Sequence, residues 1–438
     1  MTPAAPARSF VSAAFLVLAL SVPAALSSVI LFRDLPAASF DGDESWYLHF
    51  GRFFDLYFLE GDLSSAEWRG PWAYDQPSLG KFVYGFATWV TGTSDERPRR
   101  PWDFEVGEET NRLQGRAPGK RALLVGRQAA AGFGVAAVLA AAACGVLAGG
   151  AACGFLAGLL LSLNPLFVER SRHATTDSML AFFLLASLAL SLASVRALRE
   201  DRLGRGLVLA FLQGLAVFGA VGTKLNGALA GIVFAAALVW GLASRLLEGR
   251  LDSRSVFAAA ASLALAAALS LVLFAAANPG VLADPAEAAV AFVETRSRTL
   301  EGQAKSTDYP LEEGERWERL VSATLTGDRS RHNFVVLGRV AGVPVDAVLA
   351  GLGALFFIAA DLFLRPARDP RRGLGVPVVF FAAIVFGVTA PFLAVNWSRY
   401  FLPPVLGVTL LVAGGGGAFT SFVLARRASR GQSDAAAS

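Results

Sequence analysis

The sequence predicts an all-α polytopic membrane protein of about ten transmembrane helices, with further juxtamembrane helices in a long first external loop. Three observations carry this. Hydrophobic residues make up 54% of the 438-residue chain and charged residues only 17%, a balance foreign to soluble domains. Mean hydropathy is +0.51. Apolar runs of about 18 to 25 residues, long enough for a hydrocarbon core of roughly 30 Å, recur from one end to the other.

These runs fall at 10–32, 123–147, 151–167, 179–195, 207–221, 225–243, 256–277, 343–364, 375–395 and 401–424. With their connections they make one transmembrane domain over residues 1–428, and 429–438 reads as a disordered cytoplasmic tail. Arginines set the orientation, since short cytoplasmic loops are rich in them. Arg196, Arg199, Arg202 and Arg205 follow the fourth run; Arg245, Arg250 and Arg254 follow the sixth; Arg365, Arg368, Arg371 and Arg372 follow the eighth; Arg426, Arg427 and Arg430 follow the last. All four groups lie on one side, so both termini are expected in the cytoplasm of a plasma or inner membrane. The first run also resembles a secretory signal, with Arg8 before it and small residues at Ala25 and Ser27. Its apolar character continues to Phe32, and on either reading the chain after it is external.

The first external loop, residues 33–121, is too long for a connector and too aromatic for a disordered one. From Glu44 to Phe58 large apolar residues recur at three- and four-residue steps, as in a helix lying in the interface with its aromatic face toward lipid. Lys81 to Val90 is apolar but too short to span, a second juxtamembrane helix. A second large external region, 278–335, is polar and shows no fixed motif. Asp346 lies near the external end of the eighth run, and an acid in a span points to function. The Gly414–Gly417 run suits close helix packing. Cys144 and Cys153 sit in or beside spans, so no external disulfide or cysteine metal site is expected. No nucleotide-cradling glycine motif precedes a helix, which argues against a nucleotide donor or a nucleic-acid partner.

Polar residues able to do chemistry gather on the external side. Asp41 and Glu44 read as an N-cap and its capping-box partner. Asp43, which the cap does not use, is free to serve as a general base held ionised by the helix N-terminus. Asp177 opens a helix after the short loop 169–177, and either caps it or adds a second acid on the same face. His173 and Arg172 lie in that loop. Lys224, between two apolar runs, either snorkels or meets a lipid phosphate; Arg399, before the last run, has the same two readings, and an arginine clamps phosphate bidentately. Gln76-Pro77-Ser78-Leu79-Gly80-Lys81 is a rigid turn that offers Lys81 to an anion.

Together these elements resemble a family. An Asp-Glu pair after the first span, an aromatic surface helix, a Pro-Ser-Leu-Gly-Lys turn, Arg172 five residues before Asp177, Lys224-Leu225-Asn226-Gly227 and Arg399-Tyr400 with Pro403 resemble the GT-C fold glycosyltransferases that use polyprenyl-phosphate sugars, nearest the protein O-mannosyltransferases. The resemblance implies a membrane hexosyltransferase moving one sugar, mannose among the candidates, from a polyprenyl-phosphate carrier to an external acceptor hydroxyl on protein, lipid or polysaccharide. It implies Asp43 as base with Glu44 and Asp177 as supporting acids, Lys224, Arg399 and Lys81 as lipid-phosphate ligands, and His173, Arg172 and Tyr400 as donor or acceptor contacts. No cofactor is required by this reading; if a divalent cation takes part, Asp43 and Asp177 are the acids to hold it. Two departures, Gln76-Pro77-Ser78 where the family has His-Pro-Pro and the lack of a large sugar-binding insert, leave the sugar and acceptor open. The rival reading is a transporter or lipid flippase, which would place its ionisable residues near the midplane and in internal repeats.

Overall fold

A computed structural model describes residues 6–306, 311–327, 333–365, 369, 371–393 and 395–437. In chain order its principal helices are α1 (Pro6–Phe32), α2 (Gly42–Phe50), α3 (Ser78–Val90), α4 (Lys120–Gly149), α5 (Ala151–Leu163), α6 (Pro165–Ser171) and α7 (Asp177–Arg199). There follow α8 (Leu203–Thr223), α9 (Leu229–Leu247), α10 (Ser253–Ala277), α11 (Pro285–Ser306), α12 (Val345–Ala359), α13 (Val376–Thr389) and α14 (Leu402–Ala437). The last continues through the residues that the sequence assigns to a tail.

Eight described helices are long and apolar enough to cross a membrane, or nine if one bent pair counts as a single span, near the expected count of about ten. The other two predicted spans are present in altered form. The run 151–167 is broken: Asn164 caps the amide of Phe167 at 3.0 Å and Pro165 starts a new helix, so α5 and α6 meet at 66°. The run 375–395 yields a helix of only 14 residues, α13. At 1.5 Å per residue that is roughly 21 Å, short of the hydrocarbon core. The protein is nonetheless an integral membrane protein of almost wholly helical build, with one short antiparallel pairing of Arg339–Val340 and Val343–Pro344.

Burial ranks the spans. α14 and α7 are the most enclosed, while α1 and α10 present most of their surface outward. α7 packs on α4, α8 and α9, and α14 packs on α12, α13 and α5. Small residues allow this: a Cβ at Gly353 would lie 1.8 Å from the Leu411 carbonyl oxygen, and one at Gly415 2.3 Å from that of Leu349. The glycine run of α14 therefore serves close packing, because dispersion and close fit, not exclusion from water, hold helices together in lipid.

The first loop folds as a small domain on the end of this bundle. The aromatic face of α2 does not face lipid, as the spacing suggested. Trp46, Tyr47 and Phe50, with Phe53 and Phe54 beyond the helix, are buried among Trp68, Phe82 and Tyr84. The loop holds enough aromatic area to build a core of its own, and a helix hydrophobic on the side facing that core is covered by it. What remains outward is a separate patch, Phe58, Phe86 and Trp89. Gly85 permits the close seating of α3, since a Cβ there would meet the Gly51 carbonyl oxygen at 2.3 Å.

One ion pair fixes this domain to the spans. Glu44 and Arg127 are 0% and 1% exposed and pair bidentately, at 2.8 and 2.7 Å. Asp346 is structural in a comparable way. Its carboxylate accepts the amides of Val336, Leu337 and Gly338 at 2.8–3.1 Å and pins the chain entering α12.

Removing one member of the Glu44–Arg127 pair leaves the other charged and buried, a loss of about 3–5 kcal/mol. Glu44→Gln or Arg127→Met should therefore lower the thermal midpoint of the detergent-solubilised protein steeply. Glu44→Gln/Arg127→Met together should cost less than the sum of the two. Additive losses would show that the pair does not act as a unit.

Candidate active site

The turn between α6 and α7 brings the first acid into place. Asp177 opens α7 and is 3% exposed; its Oδ1 pairs with Lys224 Nζ, and the Thr175 hydroxyl donates to its Oδ2 at 3.1 Å. Lys224 is delivered by a sharp reversal. α8 stops at Thr223, Lys224 is extended, and the chain doubles back so tightly that a Cβ at Gly227 would lie 2.1 Å from the Ala220 carbonyl carbon. That close approach is the physical need behind Lys-Leu-Asn-Gly.

The second pair is Asp43 with Arg399. Arg399 sits in the 3-10 turn Ser398–Phe401 just before α14 and binds the Asp43 carboxylate. Its guanidinium lies 4.7 Å from the Trp397 ring and 5.6 Å from that of Tyr400, which limits its freedom. Both partners keep an opening to solvent, 20% for Arg399 and 22% for Asp43. Burial pushes the Asp43 carboxyl above its usual range, Arg399 pulls it down, and Asp41, Asp177 and Lys224 are all within electrostatic reach. The four residues Asp43, Asp177, Lys224 and Arg399 thus form one cluster, with Asp177 and Arg399 at the ends of the two most buried spans, Asp43 on α2 and Lys224 just past α8. Arg170 borders it, reaching Asp41 at 3.4 Å and the Ser398 hydroxyl at 2.8 Å.

Tyr47, one turn after Asp43, shares a 2.9 Å hydrogen bond with Thr176, and Tyr84 donates to the Thr175 carbonyl at 2.6 Å. Burial keeps the phenolic proton of Tyr47 far above its ordinary range, so the hydroxyl stays neutral. Gly80 of the Pro-Ser-Leu-Gly-Lys turn explains itself here: a Cβ would come within 2.3 Å of the Thr176 methyl. The turn's Ser78 is capped from afar, its amide and hydroxyl meeting Asn278 Oδ1 at 3.2 and 2.9 Å.

Other residues singled out from the sequence have partners of their own. Glu44 is committed to Arg127 and to the Ala174 amide at 2.9 Å. Lys81 is fully buried behind α2, donating to the Trp72 and Ala73 carbonyls at 2.6 and 3.3 Å with the Phe53 ring 4.8 Å away. Arg172 donates to the Arg33 carbonyl at 2.7 Å, and His173 lies between the carbonyls of Glu169 and Ser39. Tyr400 reaches α11, donating to Gln303 at 2.9 Å and lying 3.3 Å from Arg296. Sequence reasoning passed over Arg127, although a charge inside the run 123–147 was a signal in itself. Nothing in the spacing distinguished Arg170 from Arg172.

Among the described residues no three His, Cys, Asp or Glu side chains converge as a metal site. Asp43 and Asp177 supply two donors, and each already carries a cation, whereas a hard divalent ion takes about six oxygens.

Lys81 generates a pH prediction. Burial lowers its pKa from 10.5 to about 7. Between those values the unfolded chain holds a proton that the folded chain has released, so stability rises with pH across that window. The thermal midpoint, followed by tryptophan fluorescence, should climb from pH 7 toward 10, and Lys81→Met should flatten the climb. An equal slope in both proteins would assign it to other groups.

Comparison with known proteins bears on the family pattern and on the fold. The family model described as dolichyl-phosphate-mannose-protein mannosyltransferase matches residues 100–279. No curated protein sequence matches the chain. Among solved structures, ArnT from Cupriavidus metallidurans in the apo state superposes with a TM-score of 0.55 at 17% identity, covering 92% of this chain and 60% of that one. The same protein bound to undecaprenyl phosphate gives 0.51 at 18%, covering 93% and 60%. The apo oligosaccharyltransferase of Archaeoglobus fulgidus gives 0.54 at 13%, covering 92% and 51%. The chain thus spans between half and two thirds of these longer proteins. Over nine tenths of its own length it has the GT-C glycosyltransferase fold, and over residues 100–279 it carries the sequence pattern of the dolichyl-phosphate-mannose-protein mannosyltransferases.

Proposed function

We propose that the protein is a membrane glycosyltransferase that moves a single sugar from a polyprenyl-phosphate carrier to an acceptor hydroxyl on the extracytoplasmic side. One observation carries the reading: two acid–cation pairs, Asp43–Arg399 and Asp177–Lys224, meet at one end of an apolar bundle and stay partly open. A lipid phosphate at the membrane surface would meet the two cations while its hydrocarbon tail stayed between spans. The family and fold likenesses support this chemistry, and the acceptor is protein, lipid or glycan.

In the unliganded protein both cations are occupied by acids. Donor binding draws Arg399 and Lys224 onto the phosphodiester, whose two non-bridging oxygens share one negative charge and accept charge-assisted hydrogen bonds from both cations. This frees Asp43, already biased by burial toward accepting a proton. The acceptor oxygen then attacks the anomeric carbon, its proton passes to Asp43, and the bond from that carbon to the phosphate oxygen breaks. The electron pair leaves with the polyprenyl phosphate, where Arg399 and Lys224 stabilise the growing charge. Tyr47 and Thr176 hold the floor of the site and exchange no proton. Transport is disfavoured because the cluster lies at the end of the bundle, not at its middle.

The test is turnover of a panel of radiolabelled polyprenyl-phosphate sugars by purified protein in lipid. Asp43→Asn should lower turnover by about 10²–10⁴-fold yet bind undecaprenyl phosphate more tightly than wild type, because Arg399 is no longer engaged. Arg399→Gln and Lys224→Gln should weaken that binding. Unchanged turnover in a folded Asp43→Asn removes Asp43 as base; absence of turnover with every lipid donor in folded wild type removes the function.

A further inference from the structure

At the end of the bundle opposite the Asp177 cluster, roughly 30 Å away along α7 at 1.5 Å per residue, α7, α8, α9 and α10 leave a lateral cavity of about 90 Å³. Its walls are Ser194 and Leu198 of α7, Leu207 of α8, Leu238 of α9, and Phe257 and Ser262 of α10. A cavity several times the size of a water and lined by apolar groups stays dry and takes hydrocarbon. Arg202 stands at its mouth.

The rim of this cavity is positive. Arg202 is 59% exposed. Arg205, next to the lining residue Gly206, and Arg254, one turn before Phe257, are also exposed. Among the described residues neither has a carboxylate within ion-pair distance. The nearby acids pair first with other groups and reach Arg205 and Arg254 only at longer range: Glu200 pairs with Arg196 at 2.7 Å and Arg202 at 3.2 Å, Asp201 with Arg245 at 2.7 Å and Arg250 at 3.4 Å, and Asp252 caps α10 through the Ser255 amide at 2.8 Å.

We propose that this cavity is a binding site for one anionic phospholipid, with part of an acyl chain in the groove and the phosphate against Arg202, Arg205 and Arg254. A dry slot alone would accept any lipid. The arginine rim selects charge, because guanidinium groups beside the headgroup attract an anionic lipid and leave a zwitterionic one indifferent. The site is independent of the sugar-transfer chemistry and lies on the opposite membrane face.

The test uses the full-length protein, delipidated in detergent and offered an equimolar mixture of phosphatidylglycerol and phosphatidylcholine, with bound lipid counted by native mass spectrometry. Wild type should retain one phosphatidylglycerol with a preference of roughly tenfold or more. Arg205→Gln/Arg254→Gln should erase the preference, and Ala261→Phe, which fills the groove from α10, should lose the retained lipid. Equal retention of both lipids by wild type, or full retention of phosphatidylglycerol by Ala261→Phe, overturns the proposal. Should Ala261→Phe not fold, the arginine double variant decides alone, with an undiminished preference counting against the site.

Discussion

Arg127 has five N–H donors, and the fold uses all of them. Two go to the Glu44 carboxylate and the others to the carbonyls of Leu35, Ala38 and Ser39. Glu44 in return also accepts the amides of Asp41 and Ala174. One buried pair therefore joins the exit of α1, the start of α2, the shaft of α4 and the turn before α7. A buried charge pair is tolerable only when every lone pair and proton is satisfied, and here each is. Without it, Asp43 would ride on a loop free to drift from the spans.

The rest of the site depends on rigidity of a different kind. Asp177 and Arg399 stand at the ends of α7 and α14, the two most enclosed spans. Glycine contacts such as Gly353 against Leu411 seat α14 closely on α12. Chemistry at a membrane surface needs charged groups placed accurately in a medium that penalises them. This chain meets that need by letting four charges neutralise one another. Lys81 contributes from behind, tying the segment around Trp72 to α3 under the aromatic core.

The two ends of the bundle answer different demands. At the Asp43 end, acids and cations are matched and drawn into the fold. At the other end, arginines outnumber acids and several stay exposed, around a groove too apolar to hold water. An anionic membrane leaflet is the natural complement to such a surface.

Much was legible in the sequence because bilayer thickness imposes a length, and length with hydropathy locates spans without knowledge of packing. The Asp43, Asp177, Lys224 and Arg399 positions were legible for a related reason: charges at the ends of apolar runs have few places to go. Residue spacing could not say which side of α2 would be covered, since an aromatic stripe suits lipid and a protein core equally well, and only the folded loop supplies the core. Nor could it separate Lys81 from Lys224. Both follow apolar or turn residues, and only the three-dimensional path sends one behind the aromatics and the other to Asp177. The break at Asn164–Pro165 could be read locally, but its 66° angle comes from where α6 must place the next turn. What the sequence alone determined is the set of elements and the charges at their ends, because hydrophobicity and chain length act locally. The partner each charge takes was decided by tertiary structure, because ion pairs such as Glu44–Arg127 join residues that only the packed bundle brings within reach.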